Sequence, residues 1–293
     1  MRLDRTKIAI RERSLFDLLD MALRVLFVYL GPILLCAVVV AVPMMLVNWW
    51  LIGWMTEYGD ITEGSFRYFW TMILLVAIEA PLISMFVTPY LGQVMFQDEI
   101  NPREVIQATW SSKFQLVMSH LVFRGIGAAL YVAWSIPADD EFSMPEFWLM
   151  VLALFALILR AARPFNNEII LLEKNPFRSK DPNVISAGKR SQTLHGPNSG
   201  DLISRWLGCV LIAVLLVISI LGTIWFMWGM LSFDWNWGPV MYHFCFPLTL
   251  WIIATYFSIV RFLSYLDLRI RREGWEVELV MRAAAARMAE SIL

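Results

Sequence analysis

Few side chains in this sequence have the types and spacing that chemistry requires. The histidines, His120, His195 and His243, are far apart. The cysteines, Cys36, Cys209 and Cys245, each sit in an apolar run with no CxxC or Cys/His metal spacing. In such surroundings a thiol behaves as a small apolar group. His243 and Cys245 are two residues apart, and on a helix such a pair diverges instead of converging on a metal. No GxSxG, HExxH, GxGxxG or P-loop pattern occurs. The expectation is no enzyme activity, no metal and no other cofactor. What remains is a set of polar groups inside apolar sequence: Glu79, His120 and Arg124, then Arg160, Arg163, Asn166, Asn167 and Glu168 in "RAARPFNNE". Charges at membrane depth are costly, so they face the bundle and pair. One reading is a polar cavity for a substrate or ion. The other is a set of interhelical ion pairs and snorkelling arginines, which the lack of repeated broken helices in the sequence favours. Glu79 and Arg124 fall near mid-depth on consecutive spans and are expected to pair.

The elements that must position these groups are apolar. Of 293 residues, 59% are hydrophobic and only 17% charged, against about half and about a quarter in a soluble domain. A membrane-spanning helix needs about 20 mostly apolar residues. Six stretches meet this, at about 24–55, 67–96, 114–136, 146–172, 202–231 and 240–266. The fourth does so only by continuing past Arg160, and Pro164 should bend it there, freeing backbone groups that neighbours must satisfy. The loops after spans one, three and five carry Glu57, Asp60, Glu63, Asp139, Asp140, Glu141 and Asp234 with no Lys or Arg. The N-terminus, the loop after span four and the tail are basic. By the positive-inside rule both termini are cytoplasmic. Trp49, Trp50, Trp54, Trp70, Trp148, Trp235 and Trp237 crowd the outer side as an aromatic belt. No cleavable signal peptide is expected, because the first apolar run is too long for one. The expected fold is therefore all-α: one polytopic domain over 1–293 in the cell (inner) membrane, six transmembrane helices, an N-terminal interfacial helix and a C-terminal cytoplasmic helix. Its partners are the lipid bilayer, including anionic lipids, and a cytoplasmic or membrane protein; no nucleic acid is expected.

The cytoplasmic pieces have their own signals. Ser14 with Asp17 three residues on is a capping-box pattern, and Arg13, Asp17, Asp20 and Arg24 share one face of the helix that follows. "NPREVIQATW" places Pro102 at a first helical position behind Asn101. A short helix is expected over 183–194, stopped by Gly196 and Pro197, with Asp201 capping span five. Lys189 and Arg190 read first as a topology signal, with contact to anionic headgroups as the alternative.

The segment "YLDLRIRREGWEVEL" emerges from span six. It carries Tyr265, Asp267, Arg269, Arg271, Glu273, Gly274, Trp275 and Glu278. Asp267–Arg271 and Arg269–Glu273 are i,i+4 pairs, worth about 0.2–0.5 kcal/mol each when exposed. Span six should continue as a helix to about Glu273, bend near Gly274 and resume beneath the cytoplasmic face. Its arginines should meet headgroups or the acids of inner loops, among them Asp17, Asp20 and Glu173.

Three stretches occurring in this order, "RERSLFDLLDMALRVLFVYLGPILL", "AGKRSQTLHG" and "YLDLRIRREGWEVEL", resemble bacterial six-helix membrane proteins akin to the membrane domain of glycerophosphoryl diester phosphodiesterases. In such proteins the phosphodiesterase activity belongs to a separate soluble domain, and no soluble stretch of this sequence is long enough to form one. The resemblance implies a fold and a bacterial membrane, and it carries over no catalytic residue. Two functions stay open: a membrane scaffold or assembly partner with cytoplasmic docking helices, and a small-molecule transporter or channel component.

Overall fold

The computed structural model describes residues 14–57, 61–96, 102–111, 115, 118–123, 125–138, 142–173, 175–176, 186–196 and 199–273. Among these the regular elements are helical. Helix α1 (Leu15–Val28) opens with the expected capping box: the Asp17 N–H donates to Ser14 Oγ at 3.2 Å, and Asp17 accepts from the Ser14 N–H at 3.2 Å. The chain kinks at Tyr29, and α2 (Leu30–Ile52) follows. The first apolar span therefore begins at Leu30, not near Arg24. Residues before it belong to a separate amphipathic helix whose Leu18, Leu19, Ala22 and Val25 are buried.

The second apolar stretch is α3 (Ile61–Glu79), a 3-10 turn over Ala80–Leu82, and α4 (Ser84–Phe96). Then come α5 (Pro102–Ser111), with Pro102 at its start as expected, and α6 (Ile126–Trp134). Helix α7 (Met144–Ala162) starts at a second capping box, Ser143 with Glu146. Glu146 also bonds Arg67 across the bundle at 2.5 Å, an ion pair between α7 and α3. The remaining elements are α8 (Asn166–Leu172), α9 (Ala187–His195), α10 (Ser199–Ser232) and α11 (Phe246–Glu273).

Five stretches of the described residues are long and apolar enough to cross a membrane: Leu30–Thr56, Phe66–Met95, Met144–Ala162, Ser199–Ser232 and Met241–Arg269. Six were expected. The stretch at 114–136 is not one helix: a π segment at Met118–Phe123 is followed by Gly125, whose φ of +73° is left-handed and ends the helical path before α6. The span-four expectation changes as well, since α7 reaches spanning length without residues beyond Ala162.

The core joins α2, α3, α4 and α11, with α1 packed along α11 and α6 against α7. Two tryptophan pairs pack at one end, Trp50 on Trp134 (4.7 Å between centroids) and Trp225 on Trp235 (5.5 Å). The ion pairs described below occupy the other end. Helix α10 is the outlier, because only Leu202 and Gly229 along it are buried. It lies at the edge of the bundle, held by α7 and α11.

Gly229 lets α10 receive the Trp235 indole, which lies 2.5 Å from where a Cβ would stand, whereas nothing lies within 4 Å at Gly222. Gly229→Ala should lower the melting temperature in detergent through an overpacking cost of about 1–3 kcal/mol. Gly222→Ala should leave it unchanged or raise it, since Gly in a helix costs about 0.5–1 kcal/mol relative to Ala.

Candidate functional site

Two prolines shape the polar region. Pro81 has no N–H, so the Ala77 carbonyl four residues earlier loses its helical partner. Helix α3 stops at Glu79, and the chain makes one tight turn before α4. Without water, other groups must satisfy what is released. The Arg160 guanidinium donates to the Ala77 carbonyl. The Asn167 amide donates to the Pro81 carbonyl at 3.1 Å and to Ser84 Oγ at 2.5 Å, and Ser84 Oγ donates to the same carbonyl at 2.6 Å. Asn167 and Ser84 are both fully buried.

Arg160 and Asn167 flank the second break. Helix α7 ends at Ala162, and α8 begins at Asn166 beyond Arg163, Pro164 and Phe165. This bend at Pro164 is the one expected from sequence. The Phe165 N–H donates to His195 Nε2 at 3.3 Å, and His195 Nδ1 lies 2.7 Å from the Ser191 carbonyl oxygen. A carbonyl can only accept, so Nδ1 carries the proton and Nε2 is the bare acceptor. The arrangement requires a neutral imidazole. Burial pushes the His195 pKa below its usual value; the bond to Ser191 opposes this and the Arg163 charge adds to it. The ring also stacks on Phe165 (5.5 Å, 21°), and Ser191 Oγ donates to Asn166 Oδ1 at 2.9 Å. Helix α9 thus satisfies the N–H that opens α8 after the break.

Beyond the break, α8 presents acids to α11. Glu168, fully buried, bonds Arg261 at 2.9 Å. Glu173 accepts from Arg190 Nε at 2.7 Å and Nη2 at 3.0 Å, and from the Tyr265 hydroxyl at 2.6 Å, with Arg269 at 3.7 Å. Burial by itself raises the Glu173 pKa, but the bonds from Arg190 and Tyr265 and the charges of Arg269 and Arg190 outweigh it and hold the carboxyl below its ordinary value. A third group joins α10 to α11. Asp267 bonds Arg205 at 3.2 Å and Arg271 at 3.1 Å, while Asp201 bonds the same two arginines at 3.1 Å and 3.5 Å.

The polar residues read from sequence are thus divided. Arg160, Asn166, Asn167 and Glu168 come together with Tyr265, Asp267, Arg269 and Arg271. Arg163 is exposed at the break and stands apart from these pairs. His120 is buried in the π segment of the interrupted third stretch. Glu79 accepts from Asn48 Nδ2 at 2.9 Å. Its expected partner Arg124 lies outside the described residues, as do Asn101, Asn183, Gly274, Trp275 and Glu278. Helix α11 is continuous to Glu273, the last described residue, and the expected bend near Gly274 lies outside the described residues. Three expectations are corrected. Arg190 is a two-point partner of Glu173 rather than a free headgroup contact. Asp201 lies inside the first turn of α10 and binds arginines instead of capping it. The loop helix starts at Ala187 behind a Ser186 cap, later than 183. Asn48, Pro81, Ser84, Ser191, His195 and Arg205 had no site role on sequence grounds. Of these only Pro81, inside an apolar stretch, carried a local signal.

No family model, no curated protein and no solved structure matches the chain.

Arg261→Gln leaves Glu168 buried without its cation, a change that costs about 3–5 kcal/mol in such pairs. Thermal melting should show a large loss for Arg261→Gln and a much smaller one for the double variant with Glu168→Gln, a positive coupling in the cycle. For His195 the folded pKa is lowered, so below its unfolded pKa of about 6.5 the unfolded chain binds more protons. Stability is full above that value and declines as pH falls through the window beneath it. Melting temperatures between pH 7.5 and 5.5 should fall for the wild type, and His195→Gln should flatten that limb.

Proposed function

We propose that this chain is a six-span protein of a bacterial inner membrane, with both termini in the cytoplasm, acting as a membrane scaffold or assembly partner. The loop charges and the likeness of three segments to bacterial six-helix membrane proteins support the location, with 114–136 crossing as an interrupted helix. The observation that carries the scaffold reading is the fate of the charges. Glu168, Glu173 and Asp267 are each consumed by arginines of a neighbouring helix. They bind α8, α9, α10 and α11 into one stiff end instead of lining an aqueous route. A stiff cytoplasmic end is what a docking partner needs, because little ordering is left for the moment of binding.

A second reading, a transporter or channel component, rests on Glu79 and Arg160. Neither has an oppositely charged partner among the described residues, and breaks in two helices meet beside Arg160.

Single cysteines at Glu63, Asp140 and Asp234 should react with an impermeant maleimide applied to intact cells, and Lys189→Cys should not. Lys189 is exposed and suits such a probe, whereas the neighbouring Ser191 is buried. Labelling at Lys189 from outside overturns the topology. Removing residues 275–293 should leave insertion intact and deplete the partners that co-purify from native membranes. Full retention of those partners overturns docking through the tail. Ion flux in proteoliposomes that Glu79→Gln abolishes would favour the second reading.

A further inference from the structure

A cavity of about 290 Å³ lies between the edge helix α10 and the α3–α7–α11 side of the bundle. Its α10 wall runs from Leu202 to Val217 and its α11 wall from Leu250 to Ser264, about 20 Å along each helix at 1.5 Å per residue. The Arg205–Asp267 bond sets the register, so the Leu202 end of α10 lies beside the Ser264 end of α11. The two ends of the cavity differ. The deep end, toward Val217 and Leu250, is walled by groups such as Ala213 and Ile253. The other end holds three guanidinium groups, Arg160, Arg205 and Arg261.

Those cations are unequally compensated. Arg205 is bonded to Asp201 and Asp267. Arg261 meets Glu168 through Nε, but its Nη2 is buried with no hydrogen-bond partner. Arg160 donates to a backbone carbonyl and makes no ion pair among the described residues. A guanidinium in apolar surroundings without an anion is costly. The end at Arg160 and Arg261 therefore calls for one negative charge, and the rest of the cavity for hydrocarbon. Val210 on the α10 wall is 38% exposed, so that wall reaches the bundle surface that faces hydrocarbon in a membrane.

We propose that this cavity binds an anionic phospholipid of the surrounding bilayer, with its phosphate at Arg160 and Arg261 and an acyl chain along α10. The charge complementarity and the separation of charged from apolar wall select an amphiphile over a soluble anion. The site is distinct from the exposed Lys189, and it stands whether the protein docks partners or transports.

The test is native mass spectrometry of the full-length protein in detergent. It is titrated with phosphatidylglycerol, with phosphatidylethanolamine of the same chains, and with inorganic phosphate. One phosphatidylglycerol should be retained with about a tenfold preference over phosphatidylethanolamine. Arg160→Gln should remove that preference, and Arg160→Lys should restore part of it. Ala213→Phe fills the cavity from α10 with every arginine in place, and should expel the lipid. Equal retention of the two lipids overturns the proposal, and so does an unchanged preference in Arg160→Gln. Lipid still bound in Ala213→Phe does the same, and this variant decides alone if Arg160→Gln does not fold. Displacement of phosphatidylglycerol by millimolar inorganic phosphate would assign the site to a soluble anion and overturn the amphiphile.

Discussion

A backbone group released by a proline inside apolar packing must find a partner, and that requirement organises this molecule. Pro81 releases the Ala77 carbonyl, and Arg160 takes it. The turn that follows exposes the Pro81 carbonyl, and Asn167 and Ser84 take that. Pro164 ends α7, and the next free N–H, at Phe165, is taken by His195. The second apolar stretch is thus completed by the fourth, and the fourth by the loop helix α9. Each break would be costly alone, because a buried unpaired polar group costs about 1–3 kcal/mol. Interlocked, the breaks fix how three elements sit on one another.

The ion-paired end follows from the same bend. A straight α7 would carry Glu168 onward along its own axis. Turned aside at Pro164, α8 lies against α4 and brings its acids to α11 and α9. Glu168 meets Arg261, and Glu173 collects Arg190, Tyr265 and Arg269. Such pairs do not make a protein very stable relative to an apolar replacement, but each is strongly unfavourable to break from one side. They therefore hold register more than they add stability. The dense mixed charge of the segment after Tyr265 has the same explanation. Asp267 and Arg271 face α10, while Arg269 faces Glu173.

Helix α10 contrasts with this. Its start is tied to α11 through Asp201 and Arg205, and at its other end Trp235 folds back on Gly229 of the same helix. Its middle is scarcely buried. A helix tied at its start and loosely packed along its middle leaves room for hydrocarbon from outside, and the arginine-lined cavity lies behind it.

Sequence alone determined the class and most of the spans. Apolar length is a local property, and α2, α3–α4, α7, α10 and α11 fall on the stretches it marked, although α2 starts later than expected and α7 ends earlier. The Ser14–Asp17 cap, Pro102 at the head of α5, the bend at Pro164 and the run of α11 to Glu273 are also short-range effects that neighbouring residues settle. The stretch at 114–136 failed that logic, since its composition suits a span while Gly125 adopts a conformation that interrupts one. Tertiary structure decided the pairings. Nothing local says that Glu79 rests on Asn48, that Glu173 takes Arg190, or that His195 caps Phe165. These groups are 17 to 31 residues apart, and a buried charge takes whichever partner packing brings within hydrogen-bond reach. Sequence states that such a charge needs a partner, and only the packed bundle selects it.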